Sequence, residues 1–180
     1  MRRPLPRIHR RLPCVRHLPH TRGRHTMTVP HIPYIAAVLT ALTAAGLAPT
    51  DSGAEAANIN PYDNGPDAGL TTMLDAVMVW NGQNPAVNTA EYPHGIALVW
   101  EHPAESWQWA AQQSHGRLER EPAFLPSLPR WAAPAAVVTV VQALLAGRPV
   151  PEATAPLWEG AAEAQAAVDA WWAAEAGGDR

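Results

Sequence analysis

The sequence predicts an α+β fold: an N-terminal helix, a small antiparallel sheet of about three strands with a tryptophan-rich hairpin, and two C-terminal alanine-rich helices. Three observations carry it. Residues 35–48 repeat apolar side chains at helical spacing, and residues 95–111 form two strand-like runs around a proline-containing turn. After residue 133 come two alanine-rich runs, each opened by a proline and closed by a glycine.

In the first helix, Ile35, Val38, Leu39 and Leu42 form one stripe, Thr40 and Thr43 fall off it, Pro33 lies just upstream, and Gly46 is placed as a C-cap. The same uncharged stretch also reads as the apolar core of an export signal, with Ala54-Glu55-Ala56 as a small-x-small cleavage site before Ala57. A start at Met27 would leave no Lys or Arg ahead of that stretch, which favours the core helix over the exported alternative.

Residues 49–67, with Asn60-Pro61 and Asn64-Gly65-Pro66, predict a long loop. Residues 70–80 mix Val, Met, Thr and Trp and read as one or two buried strands or a short helix, with the Val77 to Trp80 end favouring strand, and 81–93 return to turn residues. The hairpin follows: a strand over 95–101, a turn at 102–105 whose φ is set by Pro103, and a strand over 106–111. Alternation puts Ile96, Leu98 and Trp100 on one face with Trp107, Trp109 and Ala111, and Glu101, Gln108 and Gln112 on the other. The tryptophan face is the one that should meet the helices. Residues 112–130, with Pro122, Pro126 and Pro129, read as irregular. Pro134 opens a broadly apolar helix that Gly147 closes. After Pro156, the residues Leu157, Ala161, Ala164, Val168 and Trp171 form a heptad-like seam that ends at Gly177-Gly178.

Composition bounds the rest. Of 180 residues 47% are apolar and 16% charged, which excludes a wholly disordered chain, and no apolar run is long enough to span a bilayer. No membrane role is expected unless 35–48 is a signal. All 13 basic residues are arginine, and eight of them precede residue 27 with no carboxylate among them. Residues 1–26 therefore form a basic extension outside the fold, read as sequence upstream of a true start at Met27, with a nucleic-acid or anionic-membrane arm and the long n-region of a signal peptide as the alternatives. Residues 27–180 form the single α+β domain. From Met27 onward five Arg face 16 carboxylates, a net charge of −11 that repels phosphate backbones, so no nucleic-acid partner is expected. Cys14 is the only cysteine, which removes internal disulfides and thiolate zinc cages.

The order of Pro33-Tyr34-Ile35-Ala36-Ala37-Val38 with Ala44-Ala45-Gly46-Leu47, of Ile96-Ala97-Leu98-Val99-Trp100 with Trp107, and of Pro134-Ala135-Ala136-Val137 with Ala143-Leu144-Leu145-Ala146-Gly147 resembles small actinobacterial proteins built on domains of unknown function. The resemblance spans residues 33–147, departs at 49–88 and over the final helix, and implies a cytoplasmic helix-sheet-helix domain without assigned site residues.

No catalytic fingerprint is present: GxSxG, GxGxxG and Walker loops are missing, and Asp51, Asp63 and Asp67 lack calcium-loop spacing. No cofactor is expected. Glu91, His94, Glu101, His102, Glu105 and His115 crowd a short window, so a metal-dependent enzyme would use His94, His102 and His115 as ligands; the bland alternative is solvated loop residues. Trp158 and Trp172 sit beside the final seam rather than on it. They are candidate anchors for a homodimer or protein-partner interface, or else caps on the core edge. The best-supported expectation is a non-enzymatic cytoplasmic protein-interaction module.

Overall fold

The computed structural model describes residues 29–58, 72–119 and 122–177. Along them run α1 (Ile32–Ala44), β1 (Asp51–Asn58), β2 (Thr72–Asn81), β3 (Gly95–His102), β4 (Ser106–Ala111), β5 (Ala123–Pro129), α2 (Pro134–Leu145) and α3 (Ala161–Gly177). The strands make one antiparallel sheet in the order β1-β2-β3-β4-β5, each bonded to its sequence neighbour. The residues before Val29, Cys14 and the arginine-rich extension among them, lie outside the described residues.

Alternation sets the two faces. In β2 the buried residues are Leu74, Ala76, Met78 and Trp80, and the register sets Ala76 opposite Trp100, Met78 opposite Leu98 and Trp80 opposite Ile96. Leu98 in turn opposes Trp109 on β4. The hairpin and its tryptophan face are therefore as the alternation predicts, and α1, α2 and α3 share one hydrophobic core with that face. Helix α1 contributes Tyr34, Ile35, Val38 and Leu42, and α2 contributes Val137, Val140, Val141, Ala143, Leu144 and Leu145. No helix among the described residues is long and apolar enough to cross a membrane.

Helices α1 and α2 end in the same device. Gly46 (φ +73°) lets the Leu47 N–H reach back to the Leu42 carbonyl at 2.9 Å, and after α2 Gly147 (φ +66°) lets the Arg148 N–H reach the Ala143 carbonyl at 2.9 Å.

Three expectations are corrected. The predicted loop over 49–67 contains β1; its composition favours turns, but pairing with β2 in unbroken register from Asp51 to Asn58 overrides it, with Ala54 and Ala56 packing against the core. The rest of that stretch, 59–67, lies outside the described residues. The predicted irregular segment 112–130 contains β5, which buries Leu125, Ser127 and Leu128. Its Pro126 is tolerated because β5 is an edge of the sheet. The sheet thus has five strands rather than about three. Finally, α3 begins at Ala161 and not at Leu157, which is 62% exposed and forms a bridge to Ala132. Within the seam, Ala161, Val168 and Trp171 are buried as expected.

Tyr34 is the hub. Its ring lies 5.1 Å from Trp131, 5.3 Å from Trp158, 6.1 Å from Trp107 and 6.4 Å from Trp100. Its hydroxyl donates to the Ala132 carbonyl at 2.8 Å and accepts from Trp107 Nε1 at 3.3 Å. Burial pushes its ionisation far above that of an ordinary phenol. Tyr34→Phe leaves both partners unsatisfied in the core. It should cost about 2 kcal/mol and lower the melting temperature by about 6 °C, read by calorimetry and urea unfolding.

Candidate functional site

The three candidate metal ligands do not come together. His94 is exposed just before β3 and His115 is exposed in the turn after β4, both at the Gly95 end of the hairpin. His102 closes β3 at its other end, about 26 Å from His94 at about 3.3 Å per residue. Among the described residues no group of three or more His, Cys, Asp or Glu could hold a metal ion. The solvated-loop reading fits His94 and His115, whereas His102 has a structural partner described below.

Trp158 and Trp172 are both half-buried and turn toward the body of the domain. Trp158 stacks at a tilt on Tyr34, and its ring lies over Gly160, where a Cβ would come within 2.8 Å. Trp172 meets Trp171 edge-on at 5.3 Å and donates its indole N–H to His102 Nδ1 at 2.9 Å.

Between the start of α1 and α3 runs an apolar groove. One half, ≈ 470 Å³, is lined by Val29, Pro30, Pro33, Ala167, Ala170, Trp171 and Ala174. The other, ≈ 400 Å³, shares Pro30, Pro33 and Ala167 and continues along Tyr34, Trp158, Gly160 and Ala164 to Glu159 and Glu163. The opening exists because α3 presents alanine methyl groups to two prolines, and neither residue type reaches across the gap. Among the described residues, the only charges in its lining are those two carboxylates. Asp169 and Glu175 lie further along the same helix, and the described part of α3 carries no cation.

Polar bonds tie α3 to the segment after β5 and the start of α1 to the sheet. Arg130, just after β5, donates from Nε to the Ala104 carbonyl at 2.6 Å, from a terminal nitrogen to the Pro103 carbonyl, and from Nη1 to Gln165 Oε1 at 3.2 Å. Trp131 Nε1 donates to the same Gln165 oxygen at 2.9 Å, and Gln165 Nε2 donates to Asp169 at 2.8 Å. His31, the N-cap of α1, is fully buried and stacks on Trp100 at 4.7 Å. Its Nε2–H donates to the Asp75 carbonyl at 2.8 Å, while Nδ1 is buried with no partner among the described residues. Desolvation holds its pKa below that of a free imidazole. His102 is held down to about 4, first by desolvation and then by the Arg130 charge.

The opposite face of the sheet carries a row of carboxylates. Glu55 pairs with Asp75, and Asp75 with Glu101, in direct cross-strand register. Gln108, which is buried, donates to Glu101 at 2.6 Å. Desolvation, and then the Glu55 and Glu101 charges, push the Asp75 carboxyl upward.

Neither His31 nor Arg130 stood out in the sequence. His31 sits in an ordinary Pro-His-Ile-Pro run and Arg130 in a stretch read as irregular. No protein family, curated protein or solved structure matches this chain.

Like charges directly opposed in a sheet cost a fraction of a kcal/mol. Asp75→Asn keeps an oxygen for the Glu55 backbone N–H and should stabilise the fold by about 0.5 kcal/mol at neutral pH. A raised carboxylate pKa destabilises only once the group ionises. The gain should therefore vanish as pH falls below the ordinary aspartate value of 3.8, which urea titrations at several pH values would read.

Proposed function

We propose that this chain is a non-enzymatic recognition module whose groove between α1 and α3 takes a cationic, apolar segment of a partner protein. The observation that carries the reading is the pairing of an apolar trough with an acidic rim: Pro30, Pro33, Ala167 and Trp171 within it, Glu159 and Glu163 at its edge. Aliphatic side chains would bury against the alanine and proline surface, and Arg or Lys between them would meet the two carboxylates. A second copy of the chain is a poorer occupant, because it would set one acidic helix surface against another. The reading is of a cytoplasmic protein that keeps α1, since cleavage after Ala56 would remove the four buried side chains of that helix.

The test uses the full chain and two fluorescent peptides of equal length, one alternating Arg with Leu and one alternating Glu with Leu. The Arg peptide should bind with Kd of about 10 µM and weaken with added salt, while the Glu peptide should bind at least about tenfold more weakly. Ala167 is exposed and lines both halves of the groove, so Ala167→Trp should fill it, weakening the Arg peptide at least about tenfold with melting unchanged. Equal binding of the two peptides, full binding by the variant, or elution of the free chain as a dimer would overturn the reading.

A further inference from the structure

Each wall of the groove is tied to the sheet by a histidine that must be neutral. On the α1 side, His31 lies between the two lining prolines, Pro30 and Pro33, and spends its one N–H on the Asp75 carbonyl. Its other nitrogen faces no acceptor among the described residues, so a second proton would create a buried cation with an unmet donor. On the α3 side, Trp172 follows the lining residue Trp171 and donates to His102 Nδ1. That bond needs the lone pair, and a proton on Nδ1 turns an acceptor into a donor facing a donor.

At both sites burial outweighs what favours a charge. His102 is faced by Arg130 from the segment after β5, by Asp169 from α3 and by His31 from the start of α1. Arg130 and His31 oppose its protonation, Asp169 and a hydrogen bond to its own backbone favour it, and burial is the strongest influence against. His31 is packed against the Trp100 ring and the Asp75 backbone, and the Asp75 carboxylate belongs to the other face of the sheet.

We propose that His31 and His102 form an acid-released latch, so that the groove is assembled at neutral pH and its two walls loosen from the sheet in mild acid. This rests on the groove being the binding site, but the latch itself is readable without a ligand. The sign follows from the direction of both shifts. The docked state binds fewer protons than the undocked one, so docking is complete above the free imidazole value of 6.5 and is lost as pH falls below it. Each histidine held neutral contributes up to about tenfold per pH unit to the undocking equilibrium.

Hydrogen exchange of the full chain at about pH 7.5 and about pH 5, corrected for intrinsic rates, reads the latch directly. Helix α2, which has no histidine among its hydrogen-bond partners in the described residues, is the internal reference. Protection of α3 and of the first turn of α1 should fall at least about tenfold more than that of α2. In His102→Gln the side-chain oxygen still accepts from Trp172 but cannot take the proton, and α3 should stay protected at the lower pH. In the wild type, the NMR titration of His31 should coincide with loosening of α1, a readout that needs no folded variant. Parallel loss in α2 and α3, or a His102→Gln chain that loosens like the wild type, would overturn the latch. Should no peptide bind at neutral pH, the groove reading fails while the exchange result still stands or falls alone. Arg-peptide affinity that is unchanged at the lower pH despite a loosened α3 would overturn the gating.

Discussion

A buried indole carries one N–H that water can no longer satisfy, and this chain turns several indoles into its sheet-helix interface. The acceptors they find decide where the loops and helices sit. Trp80 donates to the Leu47 carbonyl just past α1, and Trp100 to the Arg130 carbonyl just past β5. Trp107 donates to the Tyr34 hydroxyl on α1, Trp131 to Gln165 and Trp172 to His102. Together these bonds tie the sheet and the segment after β5 to the helices and the turns that follow them, so the rings act as fasteners as well as filler. Tyr34 completes the set by donating its own O–H to the Ala132 carbonyl, which closes the loop between β5 and α2 onto α1.

What could be read from the sequence follows from which interactions are local. The hairpin around Pro103 and the Gly46 and Gly147 caps are encoded within a few residues, and all three form where the pattern puts them. Strands β1 and β5 are not local in that sense. Asp51 to Asn58 is held extended by β2, and Ala123 to Pro129 by β4, across a bulge between Ser106 and Gln108. Their own residues, Gly53 and Pro126 among them, argue for turns. Just before the true start of α3, Trp158 folds over Gly160, a contact that heptad spacing does not express.

The site was harder to read for a related reason. His102 looks clustered with His94 and His115 only along the chain, because an eight-residue strand carries its two ends far apart. Conversely, His31 and His102 are remote in sequence yet close enough to influence one another. Trp158 and Trp172 could be singled out from their place beside the seam, but not the Tyr34 and His102 partners that turn them inward.

The two helices after the sheet differ in how they are held, and the difference explains both the groove and its sensitivity. Six side chains of α2 are buried, five of them Val or Leu, each contributing about 1.5–3 kcal/mol on burial. Helix α3 buries Ala161, Val168 and Trp171 and is otherwise mostly alanine against solvent or groove. A helix so thinly buried depends on bonds such as Trp172 to His102 and Trp131 to Gln165, each worth about 1 kcal/mol net. Leucines in place of Ala167 and Ala170 would fill the trough from within and bind the helix down by packing alone. The alanine surface therefore leaves room for a visiting side chain and, by the same omission, leaves docking of α3 to polar contacts, of which Trp172 to His102 is one that a proton can reverse.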